Sequence, residues 1–130
     1  MTQAKGLRGK NLSTIFTLAS ELLGDVIHAA ANPRHFPPKF SRELGEASVF
    51  EARRVLHSIH SADSQVEEKD SVRKKRDESV GEAFAALDCL EAELNLNFLR
   101  FRLKAPKGGE LVDKVTELRS KLKLWAKAVG

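Results

Sequence analysis

Residues 76–125, RDESVGEAFAALDCLEAELNLNFLRFRLKAPKGGELVDKVTELRSKLKLW, decide the fold of this chain. Apolar side chains recur at steps of three and four on both sides of the segment APKGG, which is typical of helices that bury one stripe. A connection of about five residues does not let two such helices diverge, so we expect an antiparallel hairpin. The first stripe comprises Val80, Ala83, Phe84, Leu87, Leu90, Leu94, Phe98 and Phe101, and the second comprises Leu111, Val115, Leu118, Leu122, Trp125 and Val129.

Two upstream segments carry the same periodicity. The first runs from Ser13 or Thr14 to about Ala31, and the second runs from Ser41 to about Ala62; a hydroxyl residue can cap the start of each. The sequence has few aromatic residues and little alternation of β-branched residues, so it does not predict strands. The sequence therefore predicts an all-α, antiparallel up-and-down four-helix bundle over residues 13–130. The stripes of these two helices are Ile15, Leu18, Leu22, Val26, Ala29 and Ala30, then Phe40, Leu44, Ala47, Ala52, Val55, Leu56 and Ile59.

Residues 63–79 are dense in charge and weakly apolar. They form either a long loop or a short loop followed by a polar first part of helix three. The order of acids before bases at spacings near four favours the helix. Helix three would then extend from about Glu67 to Lys104, unless it is kinked or broken near Gly81.

Positive charge is concentrated at the two ends of the chain. Residues 1–12 hold three positive charges and no negative one, and they read as a flexible basic arm. Residues 100–130 hold nine positive and three negative charges, whereas residues 13–99 hold ten and fifteen. This distribution favours a polyanionic partner, most often nucleic acid. The alternative is that these side chains only solvate the last helix.

Composition narrows the protein class further. The lone cysteine, Cys89, excludes an internal disulfide and suits a reducing cytoplasm, and its place beside Leu90 predicts a small buried thiol. No run approaches the roughly 18 apolar residues that a membrane span needs. Glu21 and Asp25, expected on the polar face of the first helix, interrupt the apolar stretch behind the N-terminal charges, so a signal peptide is not expected.

Catalytic and metal sites find little support. His57 and His60 are three residues apart, as are Asp25 and His28, but the Glu-x-x-His pairs of two-metal bundles are missing from the sequence. The pair Gly108-Gly109 lacks the residues of a phosphate loop, and no serine has an identifiable base. We expect a protein that is not an enzyme, with no cofactor and no metal.

The candidate nucleic-acid contacts are arginine and lysine residues near the helix ends. Phe98 and Phe101 fall on the buried stripe, so we expect no freely exposed aromatic residue and no readout of unstacked bases. Contact with backbone phosphates is the expected mode, although basic residues at a helix C-terminus also complement its dipole. The candidates are Arg34, Lys39, Arg42, Arg53, Arg54, Arg73, Lys74, Lys75, Arg76, Arg100, Arg102 and Lys104.

A family resemblance rests on two features. The segment FPPKFSRELGEASVFEARRVLHSIHSA resembles the proline-basic linker and following helix of the Avd-like four-helix bundles, and Trp125 matches a tryptophan near their chain end. That group includes the accessory variability determinant of diversity-generating retroelements and proteins encoded in intervening sequences of bacterial ribosomal RNA genes. The resemblance covers about residues 13–127. Two departures from it are the Pro-Pro-Lys of the linker and the long segment 63–79.

The resemblance implies a homopentamer with a basic surface, which binds RNA or DNA, associates with the retroelement reverse transcriptase and supports mutagenic cDNA synthesis. It assigns nucleic-acid contacts to the linker and to basic helix positions, both among the candidates above. We expect such a protein in the bacterial cytoplasm, without a membrane partner. The alternative is a stand-alone helical scaffold that acts through protein–protein contacts only.

Overall fold

The computed structural model describes four α-helices and, within the part of the chain that it describes, no strand. The helices are α1 (Thr2–Ala31), α2 (Ser41–Asp63), α3 (Asp70–Arg100) and α4 (Ala105–Val129). The prediction of an all-α protein with four helices is confirmed. The structure describes the backbone of residues 2–32, 41–63, 70–100 and 105–129, and the side chains of residues 14–32, 43, 45–62, 74–97 and 107–127.

The core is formed by aliphatic side chains from all four helices together with Trp125. Helix α2 packs against α1 and α3, and α4 packs against the same two helices. Each large apolar side chain that is fully buried contributes about 1.5–3 kcal/mol. The predicted stripes account for most of this core, whose larger members are Ile15, Leu22, Val26, Val55, Ile59, Leu87, Leu90, Leu94, Leu111, Val115, Leu118 and Leu122.

Helix α1 begins earlier than the sequence predicts. Its first residue is Thr2, so residues 2–12, expected as a flexible arm, continue the helix that was expected to begin at Ser13 or Thr14. The segment TQAKGLRGKNL contains no proline and is rich in residues that favour helices. Adding residues to an established helix avoids the cost of nucleation, so such a segment can extend α1 without a hydrophobic stripe of its own.

Helix α4 also begins earlier than expected. The segment APKGG, taken as the break between two helices, forms the first turns of α4 from Ala105. Pro106 is tolerated there because the first N–H groups of a helix have no intrahelical partner. Neither glycine of the segment has a positive φ, so neither supplies a turn conformation. Any connection between α3 and α4 lies in residues 101–104, outside the described residues.

Helix α3 resolves part of the uncertainty over residues 63–79. It begins at Asp70, so the charged segment from that residue onward is helical, as the spacing of acids and bases favours. The helix continues without interruption through Gly81, where the alternative prediction placed a kink or a break. Residues 64–69 lie outside the described part.

Gly45 shows how closely α1 and α2 approach. A Cβ built on Gly45 would lie 3.1 Å from the Cβ of Ala30, tighter than an ordinary van der Waals contact. The small residues at this crossing therefore let the two helix backbones come close together. Neither Gly45 nor the buried Ser48 was predicted as a core position, because the stripes were traced through apolar side chains and include neither glycine nor serine.

Ion pairs join α4 to both of its neighbours. Lys114 Nζ donates a hydrogen bond to Asp25 Oδ2 of α1, so Asp25, predicted for a polar face pointing away, contacts another helix. Arg119 bridges Asp88 and Glu91 of α3, and each nitrogen–oxygen distance is 3.0 Å. Partly exposed pairs of this kind are worth about 0.2–1 kcal/mol each, so they orient α4 more than they stabilise it.

Lys114→Gln is expected to lower the free energy of unfolding by about 0.5 kcal/mol at neutral pH. The hydrogen bond to Asp25 raises the pKa of Lys114 and outweighs the opposing effect of burial. This stabilisation is complete below the ordinary lysine pKa and disappears as pH rises through the raised pKa of the folded state. Urea denaturation over a series of pH values should show wild type and variant converging at alkaline pH. The exposed Lys123→Gln serves as control, and a constant difference from wild type for Lys114→Gln would contradict the assignment.

Helix α1 is more apolar than the sequence reading allowed. The stretch Thr14–Ala31 is long and apolar enough to cross a membrane by length and composition, and it is the one such stretch among the described residues. The expectation that no run approaches this length is therefore wrong. A core helix of a folded protein meets the same criterion, and this stretch contributes Ile15, Leu22 and Val26 to the core.

Candidate nucleic-acid interface

Seven of the twelve predicted contact residues have side chains outside the described part of the structure. Arg34, Lys39, Arg102 and Lys104 lie wholly outside it. For the other three, the structure gives only a helical backbone: Arg42 at the start of α2, Arg73 in α3 and Arg100 at the end of α3. Their roles stay predictions. The side chains of Arg53, Arg54, Lys74, Lys75 and Arg76 are described.

Arg76 differs most from its prediction as a surface contact. Only 2% of its side chain is exposed, and its Nε lies 3.9 Å from Oδ1 of Asp77. In this chain it lies on the buried face of α3, one turn before Val80 of the core. The sequence run RKKR points to a surface patch, but four consecutive helical residues span every face, so one of them meets the interior. Direct phosphate contact is therefore not supported for Arg76.

Arg54 is occupied by carboxylates. Its guanidinium lies 2.9 Å from Glu51 of its own helix and 3.6 Å from Glu82 of α3. Burial opposes the charge of Arg54, but Glu51, Glu82 and the Cys89 thiol together raise its pKa above the usual arginine value. This arginine ties α2 to α3, which leaves it poorly placed for a phosphate.

Cys89 differs from its prediction, and one of the histidines contacts another helix. Cys89, predicted as a buried thiol, is exposed, because it is one residue and about 100° around the helix from the buried Leu90. His60 lies against Phe16 of α1, with ring centroids 6.1 Å apart. Within the described residues, no group of three His, Cys, Asp or Glu side chains is placed to hold a metal ion.

Five exposed cations remain on the described surface without an ion pair there. Arg53 is on α2, Lys74 and Lys75 are on α3, and Lys123 and Lys127 are on the second half of α4. The sequence prediction missed the two α4 lysines and placed the contacts of that region at the α3–α4 connection instead. Two features of the sequence could have identified them. Residues 100–130 hold a surplus of positive charge, and both lysines fall off the buried stripe of Leu118, Leu122 and Trp125.

Phe50 contradicts the expectation that no aromatic residue is freely exposed. Its side chain is 63% exposed on the face of α2 that points away from the core. Arg53 and His57 follow at steps of three and four, so the three side chains share one stripe of the helix. We call Phe50, Arg53 and His57 the α2 ridge. The sequence prediction weighed only Phe98 and Phe101 as possible stacking residues, and it overlooked Phe50, which lies off the α2 stripe.

A groove lies on each side of the α2 ridge. The α1–α2 groove has a volume of about 620 Å³ and is mainly apolar, and Ile27 and Val49 line it. The α2–α3 groove has a volume of about 360 Å³ and is more hydroxyl-rich, with Ser58, Ser61 and Ser79 in its lining. Phe50 and Arg53 line both grooves, so the ridge separates them.

Comparison of the chain with protein-family models, with curated proteins and with solved structures gives no match.

Proposed function

We propose that this chain is a non-enzymatic, oligomeric nucleic-acid-binding accessory protein that binds phosphates through the exposed lysines of α3 and α4. The observation that carries the proposal is the set of exposed cations that have no ion pair within the described surface, in a chain of net charge +4. Lysine binds phosphate as a point charge, without base readout. The family resemblance extends the proposal to a cytoplasmic homopentamer that docks a reverse transcriptase and supports mutagenic cDNA synthesis.

We further propose an antiparallel up-and-down order for the four helices. In an antiparallel pair, the numbers of facing residues have a constant sum. For α1 and α2 the facing pairs are Ala30 with Gly45 and Phe16 with His60, whose sums agree within one residue. For α1 and α4 they are Asp25 with Lys114 and the groove neighbours Thr14, Ile15 and Trp125, which obey the same rule. These pairs support the proposed order.

The proposed order gathers the exposed lysines at one end of the molecule. Arg119 faces Asp88 and Glu91, so an antiparallel continuation places Lys127 near residues 80–83 of α3. Lys74 and Lys75 then lie within about two helical turns of it, roughly 10 Å along the axis. Cations at this spacing can neutralise neighbouring phosphates of one strand.

The test is to replace Lys74, Lys75, Lys123 and Lys127 together by glutamine and to measure RNA and DNA binding by fluorescence anisotropy at several salt concentrations. Wild type should bind both nucleic acids, with affinity that falls steeply as salt increases. If all four lysines contact phosphates, the slope of log affinity against log salt should become less steep by up to about 3–4 in the glutamine variant. Arg76 stays unchanged in this variant, because it is buried.

The matched control replaces the same four lysines by arginine, which keeps the charge and should keep binding. Size-exclusion chromatography should give the same oligomer for wild type and both variants. Wild-type protein that binds neither nucleic acid at low salt would contradict the proposal, as would a glutamine variant with unchanged affinity. Co-purification with a reverse transcriptase encoded beside the gene tests the docking step separately.

A second candidate is a stand-alone helical scaffold that acts only through protein–protein contacts. It is favoured by exposed apolar side chains, chiefly Leu124 of α4, which is 68% exposed, with Ile27 and Leu96 each about 40% exposed. Such a scaffold keeps its assembly and its partners after the lysines are replaced. The lysine variant therefore distinguishes the two candidates.

A further inference from the structure

We propose that the α2 ridge binds unpaired nucleotides, with a base stacked on Phe50 and the adjoining phosphate held by Arg53. This inference rests on the proposed nucleic-acid-binding function and specifies its substrate as single-stranded rather than duplex. It concerns a different helix from the lysines of α3 and α4. The two sites can therefore be tested by separate substitutions.

The exposure of Phe50 is the first observation. A phenylalanine side chain left 63% exposed loses the stabilisation that burial would give, although the core of this protein accepts large residues. Every base has an apolar face that can stack on an aromatic ring, independently of its identity. A single strand exposes these faces, whereas a duplex hides them between base pairs.

The neighbours of Phe50 on the ridge are the second observation. Arg53 comes one turn later and is exposed, and no ion pair holds it within the described surface. Its guanidinium is thus available for a phosphate, in contrast to Arg54, which Glu51 and Glu82 engage. His57 continues the same stripe. Along the ridge an aromatic ring is followed by a guanidinium and then by an imidazole. The ring can stack on a base and the guanidinium can bind the next phosphate, so the order suits the alternation of base and phosphate along a strand.

The α2–α3 groove offers the polar surroundings that a nucleotide needs. Its hydroxyl groups include Ser58 and the pair Ser61 and Ser79, whose oxygens lie 3.0 Å apart. The acid Glu82 also lines this groove, but its carboxylate lies 3.6 Å from Arg54. The α1–α2 groove, on the other side of the ridge, is mainly apolar and so offers less to a phosphate. The strand is therefore assigned to the α2–α3 side of the ridge.

The experiment compares Phe50→Leu, Phe50→Trp and wild type on oligothymidylate, oligouridylate and a duplex, by fluorescence anisotropy. Loss of one stacked base should weaken single-strand binding of Phe50→Leu by roughly 5- to 100-fold, whereas Phe50→Trp keeps the stack and the affinity. Duplex binding should not change. An abasic oligonucleotide should bind wild type and Phe50→Leu equally. Phe50 is exposed, so thermal unfolding should be the same for all three proteins.

Each other outcome overturns the inference in a recognisable way. If Phe50→Leu binds nucleic acid as tightly as wild type, with the same salt dependence, the proposed function stands but the α2 ridge is not the binding site. Equal weakening on duplex, abasic and single-stranded probes shows a general disturbance rather than stacking. Unchanged nucleic-acid binding with weakened self-association assigns the ridge to a protein contact. If wild type binds no nucleic acid at all, the proposed function fails, and this inference fails with it.

Discussion

Trp125→Ala is expected to lower the free energy of unfolding by about 3–5 kcal/mol, which is a large fraction of the stability of a small domain. Trp125 is the largest fully buried side chain described, with 1% of its surface exposed. It lies near Thr14 and Ile15 of α1 as well as on the stripe of α4. Removing it leaves a cavity at the contact of two helices, which the surrounding aliphatic residues fill only in part.

The matched control is Trp125→Phe. The indole Nε1 of Trp125 is buried and has no hydrogen-bond partner among the described residues, so phenylalanine loses no bond and retains most of the buried ring. Its cost should be well below half that of alanine. Urea denaturation followed by far-UV circular dichroism measures both variants, since the only tryptophan is removed. Equal costs for alanine and phenylalanine would show that the indole nitrogen, rather than ring volume, matters.

Arg76→Ala is expected to cost about 1–3 kcal/mol of folding stability, while the adjacent Lys75→Ala changes stability by less than about 0.5 kcal/mol. The two residues are neighbours in sequence and both carry positive charge, but only Arg76 is buried. Removing a buried charged side chain leaves a cavity and strands the groups that contact it. Chemical denaturation of the two variants compares them directly.

The same pair separates stability from binding. Lys75→Ala should weaken nucleic-acid affinity and reduce its salt dependence, whereas Arg76→Ala should act through folding alone. A stable, well-folded Arg76→Ala protein would contradict the structural role given to this arginine. Replacing the whole run of residues 73–76 would mix the two effects, so it is a poor test of binding.

The number and approximate place of the helices were predictable, because large aliphatic residues repeat with a period that only a helix buries on one side. The residues from Leu87 to Leu94 are the clearest case. Helix ends were less predictable. Two helix ends contain glycine and lack a clear apolar repeat: residues 2–12 and the segment APKGG. Both are helical because adding residues to an existing helix avoids the cost of nucleation.

The candidate site was less predictable than the fold. Sequence shows how many cations a segment holds, but not which of them a carboxylate on another helix has engaged. Arg53 and Arg54 are adjacent and chemically identical, yet Arg54 meets Glu82 of α3 whereas Arg53 faces solvent. Phe50 was overlooked because it lies off the α2 stripe, and its exposure depends on where the neighbouring helices lie.

Helix α1 extends beyond its neighbour α2 at one end of the proposed bundle. Phe16 faces His60, and α2 ends at Asp63, so the first eleven residues of α1 continue past the last turn of α2. By the same rule Val129, the last residue of α4, lies beside residue 10 or 11 of α1, so about eight residues, roughly 12 Å of helix, extend past both neighbours. Lys5 and Arg8 belong to this helical extension, whereas Lys10 lies level with the end of α4. We expect an approaching polyanion to meet this helical extension early. Its charges should therefore raise the association rate more than they lower the dissociation rate.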